Sequence, residues 1–382
     1  MDSTQLGPRF RPEVFLRVLL VFLLLAGFLV AIQCMGGSIK LMGKETSEQL
    51  FQSVSNPFAA LSVGILATVL VQSSSTTTSM IVALVGSGEI PVENAVPMIM
   101  GANIGTTITN TLVSIGHVRQ GPAFRRAFAA ATVHDFFNLL CVLVLLPIEI
   151  MTGFLRKSAL YLTELLYGVG GGEFDSPIKT GVKSAYKWIL HTFESFGLEG
   201  TPLAVCVLVL GVGMTFFCLI FITKNMRSLI VGPLEQALNK SLGRSGWLGI
   251  VVGILVTVAV QSSSITTSLL VPLCAAGILA LENAFPIMLG ANIGTTVTAL
   301  IASTAAESSA GLTIALVHAL FNLLGTVLVY PFKAIRRIPL RLARNLAISA
   351  SRNPIYVLIY VVGVFILMPL AGIWVFSWIE SF

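Results

Sequence analysis

The sequence predicts an all-α polytopic membrane protein of two inverted-topology repeats, each with a re-entrant helical hairpin that carries QSSS at its tip. Composition, block length and an internal duplication lead to that fold class. Of 382 residues, 55% are hydrophobic and 10% charged. A soluble domain has roughly 45–50% and about 25%, so a soluble enzyme is excluded. Blocks such as 201–223 and 353–379 are long enough, at about 1.5 Å per residue, to cross a hydrocarbon core of about 30 Å. Residues 64–114 overlay 253–303 without a gap: GILATVLVQSSSTTTSMIVALVGSG answers GILVTVAVQSSSITTSLLVPLCAAG, and ENAVPMIMGANIGTTITN answers ENAFPIMLGANIGTTVTA. After a five-residue deletion the match resumes, HDFFNLL at 134–140 against HALFNLL at 318–324. A period this long is a duplicated multi-helix half, not a solenoid.

The elements follow in order. Residues 1–15 form a cytoplasmic N-terminus, and 16–151 the first repeat, with crossings at 16–35, 92–115 and 126–150 and a hairpin at 57–88. An external loop, 152–200, joins it to the second repeat, 201–332, which has crossings at 201–223, 281–305 and 309–332, an amphipathic stretch at 225–243 and a hairpin at 247–278. A basic cytoplasmic link, 333–352, precedes an extra membrane helix and the C-terminus, 353–382. Each hairpin segment is too long for one helix and too short for two spans, with polar residues at its centre. Irregular polar backbone at membrane depth must be buried in protein or line a wet cavity, so the tips should face an internal site. Three crossings per half is an odd number, which makes the halves inverted, as in many secondary transporters.

Charge agrees with this topology. With a cytoplasmic N-terminus, sixteen Lys and Arg fall inside and seven outside, as the positive-inside rule requires. The net charge of +6 therefore reflects topology rather than nucleic-acid binding. Cys34, Cys141, Cys206, Cys218 and Cys274 stand singly in apolar stretches and imply neither disulfides nor zinc.

The polar motifs carry the chemistry. Free N–H groups at a helix start and hydroxyl donors suit an oxyanion such as phosphate, while hydroxyl, amide and carbonyl oxygens suit a hard cation such as sodium. The primary candidates are Gln72, Ser73, Ser74, Ser75, Gln261, Ser262, Ser263 and Ser264. Two GANIGTT blocks, 101–107 and 290–296, combine glycines, an amide and hydroxyls, a mixture expected to unwind both helices. They add Asn103, Thr106, Thr107 and Thr109 with their repeat-mates Asn292, Thr295, Thr296 and Thr298. Asp135 lies inside an apolar span opposite the uncharged Ala319 of the other repeat. An intramembrane carboxylate is a functional residue by default; the bland alternative is a snorkelling residue or an ion pair with Arg125 or Arg126. His134 and His318 read as interhelical hydrogen-bonders. Glu93 and Glu282 read as helix-start charges that complement the dipole. A membrane hydrolase is disfavoured, because no Gly-x-Ser-x-Gly elbow occurs.

These residues resemble the type II sodium-dependent phosphate cotransporter family. The resemblance rests on the paired QSSS and NIGTT motifs, FRRAFAAATVHDFFN followed by VLVLLPIE, and IPLRLARNL before the last span, and covers roughly residues 15–375. It implies sodium-coupled import of inorganic phosphate by alternating access in the cell membrane, with sodium as a co-transported ion, no organic cofactor and no nucleic-acid partner. The alternative is a sodium-coupled importer or exporter of another oxyanion. Phosphate contacts fall on the two QSSS motifs, and sodium-related positions on Thr111, Asp135, Asn138, Gln261, Ser262, Thr295 and Thr298. Ala129, Ala131 and Asp135 match the Ala-x-Ala-x-x-x-Asp pattern of electrogenic members. The chain departs from animal members at Ala291, His117 and Gln120, in its short 152–200 loop and in a missing terminal membrane segment, which implies a bacterial or archaeal type. The sequon at Asn239 falls on the cytoplasmic side and is expected to be unmodified.

Overall fold

A computed structural model describes residues 12–43, 54–170, 177–241 and 246–380. The structure among them is helical: α1 (Pro12–Leu41), α2 (Pro57–Val71), α3 (Ser74–Gly86), α4 (Val92–Gly105), α5 (Ile108–Ile115), α6 (Pro122–Thr152), α7 (Phe154–Gly170), α8 (Pro177–Ser195), α9 (Gly200–Ser241), α10 (Gly246–Val260), α11 (Ser263–Ala275), α12 (Leu281–Ser303), α13 (Ser309–Val329), α14 (Lys333–Arg352), α15 (Ile355–Val362) and α16 (Met368–Glu380). A π-helical turn, Gly363–Leu367, joins the last two.

Six described segments are long and apolar enough to cross a membrane: Leu16–Leu41, Pro122–Thr152, Gly200–Met226, Leu281–Ser303, Ser309–Val329 and Ile355–Val375. The expected crossing at 92–115 is not one helix. It breaks at Thr106 and Thr107 into α4 and α5. Unwinding was expected of both GANIGTT blocks, yet α12 runs without interruption through 290–296. The expected separation of 201–223 from 225–243 is also absent, since α9 is one continuous helix of 42 residues. Residues 152–200, expected as a loop, carry α7 and α8.

Close packing depends on glycine. A Cβ on Gly101 would lie 2.0 Å from the Leu61 carbonyl oxygen, and one on Gly290 would lie 2.0 Å from that of Ile250. Gly64 and Gly253, on the facing helices, have only 2.1 Å to the carbonyls of Met98 and Ile287. Helices α2 and α4 therefore meet backbone to backbone, as do α10 and α12, the small-residue packing common in membranes. The remaining contacts interlock the halves: α3 packs on α13 and α11 on α6, while α7 lies on α13 and α14 on α6.

End contacts sort the chain into two faces. At one, Glu93 pairs with Arg156 at 2.8 Å, Lys40 pairs with Glu307, and Ser308 donates its N–H (3.1 Å) and hydroxyl (2.8 Å) to the Gly86 carbonyl. A pocket there also touches Pro57, the start of α2. At the other, Arg344 pairs with Glu282 and Arg126 binds the end of α11. Glu93 and Glu282, read as helix-start charges, do lie in first turns, and each also meets an arginine.

Candidate functional site

Each QSSS is a two-residue break between helices. Gln72 (φ 54°) and Gln261 (φ 56°) are the non-glycine residues with positive φ among those described. A left-handed glutamine is uncommon, and finding it at both matched positions marks these corners as held by their surroundings. Ser73 and Ser262 then take extended backbone and act as N-caps: Ser73 Oγ accepts from the Thr76 N–H at 3.2 Å, Ser262 Oγ from that of Ile265 at 3.4 Å. The first N–H groups of α3 and α11 have no intrahelical acceptor, so both helices present positive dipole ends.

The two corners share one cavity of about 620 Å³. All eight residues of the two motifs line it, together with Thr76, Ile265 and one face of α9 that ends at Lys224. Gln72 is exposed to it, while Ser74, Ser75 and Ser263 are buried along its wall. Lys224, the charged side chain of this lining, was not anticipated in the sequence. Its signal was a lysine directly at the end of the apolar block 201–223.

The sodium-related positions divide. Thr298 joins the second corner, its hydroxyl donating to Gln261 Oε1 at 3.0 Å. Asn103, Asn138 and Asn292 form a buried chain across the halves. Asn138 Nδ2 donates to the Asn103 carbonyl, and Asn292 Nδ2 to Asn138 Oδ1, both at 2.7 Å. His134 extends it at 2.6 Å from Asn292 Oδ1, the interhelical role expected of it. Thr106, Thr111 and Thr295 are buried but return their hydroxyls to carbonyls four residues back, those of Ala102, Thr107 and Ala291. These residues lie outside the lining of the corner cavity, Gln261 and Ser262 excepted.

Asp135 pairs with neither Arg125 nor Arg126. It is 4% exposed. Its Oδ2 accepts from the Tyr360 hydroxyl at 2.7 Å, and its Oδ1 has no hydrogen-bond partner. Tyr360 comes from the extra helix, α15, and sits among Phe128, Phe136 and Phe365. A bare carboxylate oxygen in an aromatic, water-poor setting is costly unless a cation or proton joins it. All five cysteines are free thiols.

A helical membrane bundle whose two broken helices open on one cavity, each with a polar corner in its lining, has the architecture of a transporter rather than of an enzyme. The comparisons make this specific, because residues 28–170 and 203–342 each match the Na+/Pi-cotransporter family. The chain belongs to that family, and the match falls once on each half. Among curated relatives, sodium-dependent phosphate transport protein 2A of Ovis aries is 32% identical over 93% of this chain and 67% of its own length. The 2B protein of Homo sapiens is 33% identical over 91% and 64%, and the 2A protein of Rattus norvegicus 34% over 91% and 66%. The chain thus spans about two thirds of the length of these relatives. No solved structure matches it.

Proposed function

We propose that this chain is a sodium-coupled secondary transporter that imports inorganic phosphate by alternating access. One observation carries the reading: both QSSS corners, with the N-termini of α3 and α11, open on one cavity. Two helix dipoles of about half a positive charge each, with hydroxyl donors, suit a multiply charged oxyanion. The relatives, all sodium-dependent phosphate transport proteins by name, support the same substrates.

Sodium has an electrostatic task in this reading. A phosphate dianion in a low-dielectric site is prohibitively costly alone, so binding is strong only when cations share the site. The corner oxygens of Gln261 and Thr298, the amide chain of Asn103, Asn138 and Asn292, and Asp135 are the oxygen-rich places for them. The hydroxyls of Thr106, Thr111 and Thr295 can join after rotating away from their helix carbonyls. The duplicated halves enter the membrane from opposite faces, and rocking of one against the other exposes the cavity alternately. With an extra sodium at Asp135 transport is electrogenic, driven by about 2.3 kcal/mol per charge per 100 mV.

Labelled-phosphate uptake into proteoliposomes, with and without a sodium gradient and an imposed voltage, tests this. Uptake should require sodium, rise with inside-negative voltage and resist excess sulfate. Ser73→Ala or Ser262→Ala should lower it at least about tenfold, beyond what an N-cap loss of about 1 kcal/mol does to stability. Asp135→Gly should abolish the voltage-dependent current while some sodium-dependent uptake survives. Full current in that variant refutes the assignment of Asp135.

A further inference from the structure

At the face where α6 and α12 begin, a second cavity of about 670 Å³ is lined by Arg125, Arg126, Glu282 and Arg344. Two of the guanidinia have structural partners. Arg126 donates from Nε to the carbonyls of Cys274 (3.1 Å) and Ala275 (3.0 Å) and from Nη2 to Ala275 (2.6 Å), which caps the end of α11. Arg344 pairs with Glu282. Arg125 is exposed, and no described residue pairs with its side chain. Three guanidinia against one carboxylate leave an excess of two positive charges. Neither α6 nor α12 has a side-chain N-cap here, so their first N–H groups add to the same potential.

The duplication does not require this charge. At the opposite face the Gly86 carbonyl, the repeat-mate of Ala275's, is bound by the uncharged Ser308. The space beside it is closed to about 10 Å³, and Glu307 there is matched by Lys40. Of these two hairpin ends, among the described residues, that of α11 is the one both open and basic. It also adjoins α14, whose buried residues Pro339, Leu340, Ala343, Ala347 and Ala350 form one stripe, while apolar Ile338 and Leu342 are exposed beside Arg337 and Arg341. Such a helix belongs at the membrane–water boundary, the depth of lipid phosphates.

We infer that this cavity binds the anionic headgroup of a membrane phospholipid, its phosphate oxygens held by Arg125 and Arg344. Guanidinium–phosphate pairs are strong and directional, and basic pockets between membrane helices suit lipid headgroups. Because Arg126 ties the same cavity to the end of α11, a lipid seated there also bears on the second QSSS corner.

The test is native mass spectrometry of the full chain in detergent, titrated with phosphatidylglycerol, phosphatidylcholine or inorganic phosphate. Phosphatidylglycerol should be retained in preference to phosphatidylcholine. Arg125→Gln should weaken that retention about tenfold, the loss of one charge-assisted pair, and Arg125→Lys should keep part of it. Equal retention of both lipids, or unchanged phosphatidylglycerol binding in Arg125→Gln, overturns the proposal. Displacement of phosphatidylglycerol by inorganic phosphate overturns it too, because the cavity is then a site for free anion.

Discussion

The two QSSS corners share their tetrapeptide and their backbone, yet the helices beside them differ. At the second corner Thr298 holds Gln261, the Thr257 hydroxyl donates to that of Thr266 at 2.9 Å, and α12 is unbroken. At the first, the matched Thr109 and Thr68 hydroxyls are buried without partners, Gln72 is exposed, and the helix splits into α4 and α5. GANIGTT is identical in both, so it cannot be the cause. Beyond it the repeats differ by a conservative Ile108 to Val297 change and then by a polar residue at position 110. Asn110 exchanges hydrogen bonds with Thr267 at 2.7 and 3.1 Å and accepts from Ser268 at 2.9 Å, which ties α5 to α11, whereas its repeat-mate is Ala299. One corner is latched and the other open. Equivalent sequences therefore take two conformations in one molecule, an asymmetry that the proposed alternating access would use.

The largest expected effect tests where the corners are alike. Gly101→Val and Gly290→Val should each cost more than about 3 kcal/mol, with little folded protein recovered, and the two losses should be similar because the clashing contacts match. A loss confined to one half would break the comparison. Next, Asn110→Ala removes three hydrogen bonds, two of them buried, and should cost about 2–3 kcal/mol. Spin labels on α5 and α11 should then move apart; unchanged distances would mean that Asn110 does not hold the break open.

Smaller effects separate the latches. Thr298→Val strands the Gln261 carbonyl oxygen and should destabilise by about 1–2 kcal/mol. Thr109→Val deletes a hydroxyl that already lacks a partner and should be neutral or slightly stabilising. Thermal unfolding of the pair measures the difference directly, and equal losses would show that both latches form.

The positions of the corners were legible because a verbatim repeat of polar residues inside apolar blocks has no other economical reading. The cross-half links were less so. Asn138 to Asn292 and Asp135 to Tyr360 join residues 154 and 225 positions apart, and no periodicity encodes such distances. The glycine contacts did leave a signal in the Gly-x-x-x-Gly spacing of GANIG, a packing motif of membrane helices that reads equally well as a kink. Asn110 had a signal too, as the polar residue that the second repeat lacks.

By itself the sequence determined the helical class, the membrane setting, the duplication and the two QSSS corners, because hydropathy, chain length and a verbatim repeat are properties of the chain before it folds. Tertiary structure alone decided which of two identical GANIGTT segments breaks, which glutamine is latched, and which end of the bundle stays open and basic. Those outcomes depend on hydrogen bonds and charges that the opposite half supplies. A residue's own neighbours in sequence do not specify them.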